Sequence, residues 1–303
     1  MDDRSTDTTF EILERYAALD QRIRLVRNEH NLGLVENWNR CVDLARGEWI
    51  KFAFQDDLLR ADCIEKMLAA AKRPIVFCRR KFLFESGTNE ETIRFYNELP
   101  QIPELFSHST HDIDPARIQS SVLHETRNFF GEPTAALLHR SLFDRFGLFN
   151  SDLAQLCDLE YWIRVAINTG ISYVNEPLAT FRYHASSTSA SNRDPLRDEW
   201  VSIFDRLIID HEFAYNPHYT VLRKQALGLS PKRNFQRELA EKAVWAHNRT
   251  RLLANHQKSP DQSWAQLWDE LVVRYPRLWH STWHLPYRAR ELWRRYIGWR
   301  FKQ

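Results

Sequence analysis

The pair Asp56-Asp57, preceded by Gln55, closes the apolar run Trp49-Ile50-Lys51-Phe52-Ala53-Phe54, which reads as a buried strand. A strand of that kind cannot bury bare negative charge without a partner. Adjacent carboxylates at the exit edge of an α/β sheet are a usual meeting place of a divalent cation and a phosphate-bearing ligand, because hard cations take oxygen ligands and ligands gather outside the strand ends. A solvated turn after a strand is the other reading, since Asp is a frequent turn residue.

The flanking sequence has to position that pair. Ser5-Thr6-Asp7-Thr8-Thr9 supplies N-cap residues ahead of Phe10 to Tyr16, whose apolar positions recur at helical spacing. Arg22 to Val26 reads as a strand, Asn31-Leu32-Gly33 as a turn, and Val35 to Ala45 as a helix closed by Gly47 at its C-terminus. The strand ending at Asp56-Asp57 follows, then a helix over Ala61 to Lys72 and a strand over Pro74 to Cys78. This alternation predicts an α/β layer with parallel strands. Residues 85 to 125 are polar, proline-punctuated and without clear period, and read as a long loop, either a substrate lid or disordered. Order resumes with a strand over Gly131 to Leu138, a short helix from Ser141 ending at Gly147, a helix over Asp158 to Ala166 and a strand over Ile171 to Val174. Beyond about Asp194 the pattern is helical throughout.

Composition narrows the function classes. The 303 residues are 43% hydrophobic, enough for a sizeable core, and 42 Lys and Arg against 40 Asp and Glu leave a net charge of +2, a balance that makes no demand for nucleic acid. Cys41, Cys63, Cys78 and Cys157 form no CxxC pair, so neither a zinc knot nor a disulfide framework is expected, and a reducing cytoplasm fits. No apolar run reaches the length of a membrane span and no secretory signal opens the sequence. The 8 glycines are few, and the 11 tryptophans crowd the second half, which divides the chain into residues 1–192 and a helical, Trp/Arg-rich region, 193–303.

In this order the motifs resemble those of the family 2 glycosyltransferases, from Asp2 to about Ser189. Asp2-Asp3-Arg4-Ser5-Thr6-Asp7 resembles the acidic turn that contacts the donor base and ribose, and Asn31-Leu32-Gly33 with Asn37 resembles the family's NxG…N stretch. Gln55-Asp56-Asp57 is similar to its metal-binding acidic motif, Cys157-Asp158 to its glutamate-aspartate pair, and Arg182-Tyr183-His184 with Ser187 and Ser189 to its RxH…S…S ending. The resemblance implies a GT-A-like (Rossmann-like) mixed sheet flanked by helices, with a helical C-terminal extension. It also implies N-terminal truncation, because relatives place a strand-helix-strand unit before the acidic turn that here stands at Asp2-Asp3. A start upstream of Met1 and a truncated, impaired remnant are the two accounts of that shortfall.

The implied activity is inverting transfer of a sugar from a nucleotide-diphosphate donor to a hydroxyl of a glycan or lipid-linked acceptor. Mn²⁺ or Mg²⁺ would stabilise the leaving diphosphate, held by Asp56, Asp57 and His184, with Asp57 favoured over Asp56 as the direct ligand. Asp2, Asp3, Asn31, Gly33, Asn37, Asp56 and Arg182 would contact the donor, and Asp158, at a helix start, would be the general base, with Glu160 as its substitute. Phe54 stands where many relatives have a further acid, and Cys157 where many have glutamate. Plainer readings stay open: His184 as an ordinary histidine, Asp158 as an N-cap, Gly131-Glu132-Pro133 as a simple turn instead of the acceptor side, and Tyr161 and Trp162 as core instead of sugar-stacking residues.

From Arg274 to Gln303 eight basic residues accompany one acid, Glu291, with Trp279, Trp283, Trp293 and Trp299 interleaved. Such a mixture suits peripheral contact with an anionic membrane, on the inner face, or packing on the protein. Three other classes remain: a sugar nucleotidylyltransferase, against which stands the lack of a glycine-rich phosphate loop; a non-catalytic carbohydrate-binding or scaffold protein; and a nucleic-acid binder using the basic tail.

Overall fold

The computed structural model describes residues 1–106, 111–125, 127–191, 195–229, 231–256 and 264–282. They divide into two compact units. The first comprises Met1–Ile118 and Glu125–Ser191, and the second Gln119–His124 with the described residues from 195 onward.

In the first unit, helices α1 (Thr9–Leu19) and α2 (Leu34–Leu44) precede strands β1 (Trp49–Lys51) and β2 (Leu58–Leu59), helix α3 (Cys63–Ala69) and strand β3 (Ile75–Phe84). Helices α4 (Glu90–Asn97) and α5 (Ile102–Leu105), strand β4 (Asp112–Ile113) and helix α6 (Pro115–His124) follow, the residues of α6 from Gln119 onward being counted with the second unit. A 3₁₀ turn at Pro133–Ala135 leads into β5 (Ala136–His139), then α7 (Ser141–Phe146), α8 (Cys157–Thr169), β6 (Ile171–Tyr183) and α9 (Thr188–Ser191).

Among the described residues these strands form one mixed sheet in the order β1-β5-β3-β6-β2, with β4 also on β6. Only the β3–β6 pair in it is parallel, so the sheet is mixed, as the resemblance implies, while the parallel layer read from the helix–strand alternation is confined to that one pair. The middle of the sheet follows from sequence: Ile75 to Cys78 are all at most 2% exposed, a continuous apolar run covered on both faces. Val76 and Cys78 pack with Cys63 and Met67 of α3, while Phe77 meets Trp162 of α8 edge-on at 5.4 Å between ring centroids. Eleven of the thirteen residues of α8 are buried, so Tyr161 and Trp162 are core residues. Tyr161 lies 4.4 Å from Phe149 and 5.3 Å from Phe143.

Several boundaries differ from the sequence expectation for identifiable reasons. Residues 85–125 hold α4, α5, β4 and α6 in place of a loop. The inward face of α4 is Thr92 and Tyr96, the latter against Phe82, Phe84, Phe181 and Tyr183, so a polar and an aromatic residue carry a face that apolar periodicity does not detect. Arg22 to Val26 forms no strand: Asp2 and Arg27 make an isolated parallel bridge, and Ile23 is exposed. The strand predicted to reach Phe54 stops at Lys51, because Phe52 and Phe54 turn onto Trp38. Helix α2 ends at Ala45 in extended conformation, without the glycine cap expected at Gly47. Strand β6 runs thirteen residues instead of four. It passes through Pro177 at a register shift against Arg79, a place where a missing N–H is tolerated.

The second unit is helical, as expected. It contains α10 (Pro195–Trp200), a π-helical turn (Val201–Asp205), α11 (Arg206–Tyr215), a 3₁₀ turn (Pro217–Tyr219), α12 (Thr220–Leu227), α13 (Phe235–His256), α14 (Trp264–Arg274) and α15 (Pro276–Thr282). Its core includes Ile208, Leu239, Ala243, Trp268 and Leu278. No helix among the described residues is long and apolar enough to cross a membrane. The residues proposed for membrane contact lie outside the described residues from 283 onward.

Gly170 ends α8 at φ +70°, and a Cβ there would sit 2.4 Å from the Ile113 carbonyl oxygen and 3.3 Å from Asp114 Cα. Gly170→Ala should lower the free energy of unfolding by on the order of 2 kcal/mol or more, combining backbone strain with steric conflict. An unchanged midpoint in chemical denaturation would contradict this turn.

Candidate active site

Asp56 and Asp57 lie in the bend between β1 and β2. Strand β2 pairs antiparallel with β6, Leu58 opposite Thr180, so residues just before Leu58 come against residues just after Thr180. This closes a separation of more than a hundred residues. The Arg182 backbone N–H donates to Asp57 Oδ1 at 3.0 Å, and His184 Nε2 lies 3.1 Å from Asp56 Oδ2. The side chains of Asp56 and His184 are 22% and 23% exposed, open enough to meet a ligand.

Asp57 differs from its neighbour. Besides the Arg182 bond, its Oδ2 accepts from the Thr134 hydroxyl. Burial raises its proton affinity, against the lowering effect of these two bonds. Among the described residues no three His, Cys, Asp or Glu side chains gather as a cation site. The expected triad of Asp56, Asp57 and His184 is therefore found as a pair, Asp56 with His184, while the oxygens of Asp57 are bonded within the protein. A carboxylate oxygen and an imidazole nitrogen at one spot still fit a small divalent cation such as Mn²⁺ whose other ligands come from a diphosphate.

A second group surrounds Asp158, in the first turn of α8. The residue at the N-cap is Leu156, so Asp158 does not cap the helix. Its Oδ1 accepts from the Leu159 N–H at 2.6 Å and its Oδ2 from Asn128 Nδ2 at 3.4 Å. Burial, then the nearby Glu132 carboxylate, pushes its pKa up from 3.8 to about 7, against the attraction of Arg80. That is where a general base operating near neutrality is most effective.

The loop beneath it is firmly built. Asn128 Oδ1 accepts from the N–H groups of Phe130 (3.2 Å) and Gly131 (3.0 Å), and the Gly131 carbonyl accepts from Trp162 Nε1 at 2.9 Å. Gly131 has φ +117°, and a Cβ there would lie 3.1 Å from Arg80 Nη1, so glycine is required by both backbone and space. Arg80, with a side chain only 2% exposed, lies 3.1 Å from Glu132 Oε2 and donates to the Asn128 carbonyl.

Glu160 is not a substitute base. It is 1% exposed and pairs with Arg164 at 2.9 Å, whose guanidinium also holds the Phe146 and Leu148 carbonyls. Removing one partner of such a buried pair strands a charge, which makes its role structural.

The third group is N-terminal. Asp3 Oδ1 accepts from Leu32 N (2.8 Å) and Asn28 Nδ2 (2.7 Å), its Oδ2 from Gly33 N (3.0 Å), and Asn31 Nδ2 donates to the Asp3 carbonyl. Asn28 also donates to Asn37 Oδ1 at 3.0 Å. Gly33, at φ +81°, opens α2. Thus Asp3, Asn31, Gly33 and Asn37 do assemble. Asp2 turns the other way: it is 2% exposed and its carboxylate faces Arg27 (3.0 Å) and Ser5, so its expected donor contact gives way to an internal ion pair.

Sequence reading missed Asn28, Arg80, Asn128, Thr134 and Lys51. Lys51, a cation inside an otherwise apolar run, was the one visible anomaly among them. The others look like ordinary polar residues until the fold brings them together.

The glycosyl transferase family 2 model matches residues 1–146. That segment is similar to family 2. An uncharacterised protein of Mycobacterium tuberculosis (strain CDC 1551 / Oshkosh) is 29% identical over 169 residues, 54% of this chain and 51% of its own. An uncharacterised glycosyltransferase of Haemophilus influenzae (strain ATCC 51907 / DSM 11121 / KW20 / Rd) is 22% identical over 220 residues, 69% of each chain. The chain spans about half the length of several relatives it matches. Residues 1–349 of S. aureus TarS, crystallised with UDP-GlcNAc, superpose with a TM-score of 0.53 at 16% identity, covering 82% of this chain and 69% of that one. The likeness is one of fold, a GT-A glycosyltransferase fold. Asp158, Arg182 and His184 lie beyond the segment matched to family 2.

The raised pKa of Asp158 has a consequence for stability. The folded state holds this proton more tightly than the unfolded chain, so stability falls as pH climbs from about 4 to about 7 and stays lowered above that. The shift from 3.8 to about 7 sets an upper bound of ~4 kcal/mol on the penalty. Asp158→Asn should therefore raise the melting temperature at pH 8 and raise it much less at pH 4.5. Equal gains at both values would contradict the assigned burial.

Proposed function

We propose that this chain transfers a sugar from a nucleotide-diphosphate donor to a hydroxyl of a glycan or lipid-linked acceptor, with inversion at the anomeric carbon. The carrying observation is Asp158, a carboxylate in the first turn of α8 with a pKa near 7, bonded through Asn128 to the loop whose Thr134 reaches Asp57. The match of residues 1–146 to family 2 and the likeness in fold to a protein crystallised with UDP-GlcNAc support a nucleotide-sugar donor.

In this reading Asp158 takes the acceptor proton while the acceptor oxygen bonds to the anomeric carbon and the sugar–phosphate bond breaks. The diphosphate leaves with the electron pair. Asp56 and His184 would hold Mn²⁺ or Mg²⁺, which when bound would neutralise the charge on the leaving diphosphate. Arg182, whose Nε is buried without a hydrogen-bond partner, would face the donor, and the Asp3 network with Asn31, Gly33 and Asn37 would shape the nucleotide side. Residues 1–192 would be the transferase domain. The region 193–303 would be its helical extension, with 274–303 making peripheral contact at the inner membrane face.

Calorimetric titration with UDP- and GDP-sugars should give heat that depends on Mn²⁺, and no heat with any donor would overturn the reading. Asp158→Asn should keep donor binding and lose transfer by about 10²–10⁴-fold, the usual span of general base catalysis; retained turnover would remove Asp158 from the base role. For the tail, replacing Trp283, Trp293 and Trp299 with Ser should reduce co-sedimentation with anionic liposomes. Equal recovery of the two proteins would refute membrane contact.

A further inference from the structure

Lys51 is an expensive residue in its place. It stands in β1 opposite Leu137 of β5, and burial is the leading influence on its ammonium, lowering its proton affinity against the opposing pull of Cys78, Cys63 and Asp57. A cation turned inward from an apolar strand costs several kcal/mol (order of magnitude) unless it is paired and hydrogen-bonded. Its partners are specific. Nζ donates to the Thr134 carbonyl and to the Ala136 carbonyl, the latter at 3.1 Å. Thr134, 1% exposed, lies in the 3₁₀ turn and donates its hydroxyl to Asp57 Oδ2. Asp57 Oδ1 in turn accepts the Arg182 N–H at 3.0 Å, two residues before His184 meets Asp56.

We propose that Lys51 and Thr134 are positioning residues that hold Asp57 as a clamp on the end of β6 instead of as a cation ligand, and so fix the spacing of Asp56 and His184. This rests on the reading of Asp56 and His184 as the cation-holding pair. A carboxylate bonded on one oxygen to a buried hydroxyl and on the other to a strand N–H acts as a brace. It ties the β1–β2 bend to β6 at the point where the strand ladder ends. The Lys51 ammonium holds the Thr134 and Ala136 carbonyls and so fixes the turn from which the Thr134 hydroxyl reaches Asp57. There β6 is itself held along its other edge by β3 as far as Tyr183, whereas the β1–β2 bend is tied to β6 by a strand, β2, only two residues long, so the spacing of the pair depends on the brace.

The two roles separate by substitution. Asp57→Asn keeps an acceptor for the Arg182 N–H and an amide that can bond the Thr134 hydroxyl, but removes the charge a ligand needs; Asp57→Ala removes both. Mn²⁺ affinity, read from the free-ion electron paramagnetic resonance signal with no donor present, should change less than about threefold for Asp57→Asn and Thr134→Ser. It should fall about 10-fold or more for Asp57→Ala, Thr134→Val, Asp56→Asn and His184→Ala, the size of effect expected from removing a ligand or its support. Rescue by Thr134→Ser separates lost positioning from lost bulk. If Thr134→Val does not fold, the comparison of Asp57→Asn with Asp56→Asn decides alone. Equal loss in those two would make Asp57 a ligand and overturn the proposal. Wild-type protein that takes up no Mn²⁺ would instead overturn the cation-site reading, and the clamp with it.

Discussion

Backbone pairing along β6 is the constraint on which the first unit depends. This thirteen-residue strand is paired with β3 in parallel and with β2 and β4 in antiparallel fashion, so it joins segments from the early and middle parts of the chain to its own late one. Each ladder bond is modest by itself, but leaving a buried donor or acceptor unpaired is costly, and this fixes the strand's register against its neighbours. The register then decides which side chains meet at the strand's end. Arg182 and His184 are brought to Asp56 and Asp57 because Leu58 pairs with Thr180.

The charges around the site are arranged by burial and by the neighbours each group meets. Asp56 and His184 keep partial exposure, whereas Asp57 and Asp158 feel burial as the largest influence on their protonation. Neighbours then divide these two acids. Hydrogen bonds from Thr134 and Arg182 favour the ionised form of Asp57. Glu132 opposes ionisation of Asp158 and Arg80 favours it. A single short loop, Gly131 to Ala135, carries both Glu132 and Thr134, so the two acids are tuned from one piece of backbone, itself anchored by Asn128, Arg80 and Trp162.

The legible part of this arrangement was whatever is local in sequence. The apolar run at Ile75 to Cys78 marked the buried strand, and the helix that begins near Asp158 was visible from its spacing. The adjacent carboxylates at Asp56 and Asp57 marked a place of chemistry. What stayed hidden were elements whose inward faces are aromatic or polar, such as α4 with Thr92 and Tyr96, and a strand as long as β6, whose second half reads as neither alternating nor apolar. Pro177 argues against a strand until its position at a register shift is seen.

The sequence by itself determined the residue types able to do the chemistry, their order, and the alternation of helices and strands that places them at one edge of a sheet, because propensity and hydrophobic period act over a few residues. Only the tertiary structure decided which member of each acidic pair faces outward. Asp2 turns to Arg27 and Asp3 to the Gly33 loop, Asp57 turns to Thr134 and Asp56 to His184. Adjacent residues are chemically identical in sequence. What distinguishes them is the direction of the backbone at that point and the partner it finds, and both are set by strands and loops far along the chain.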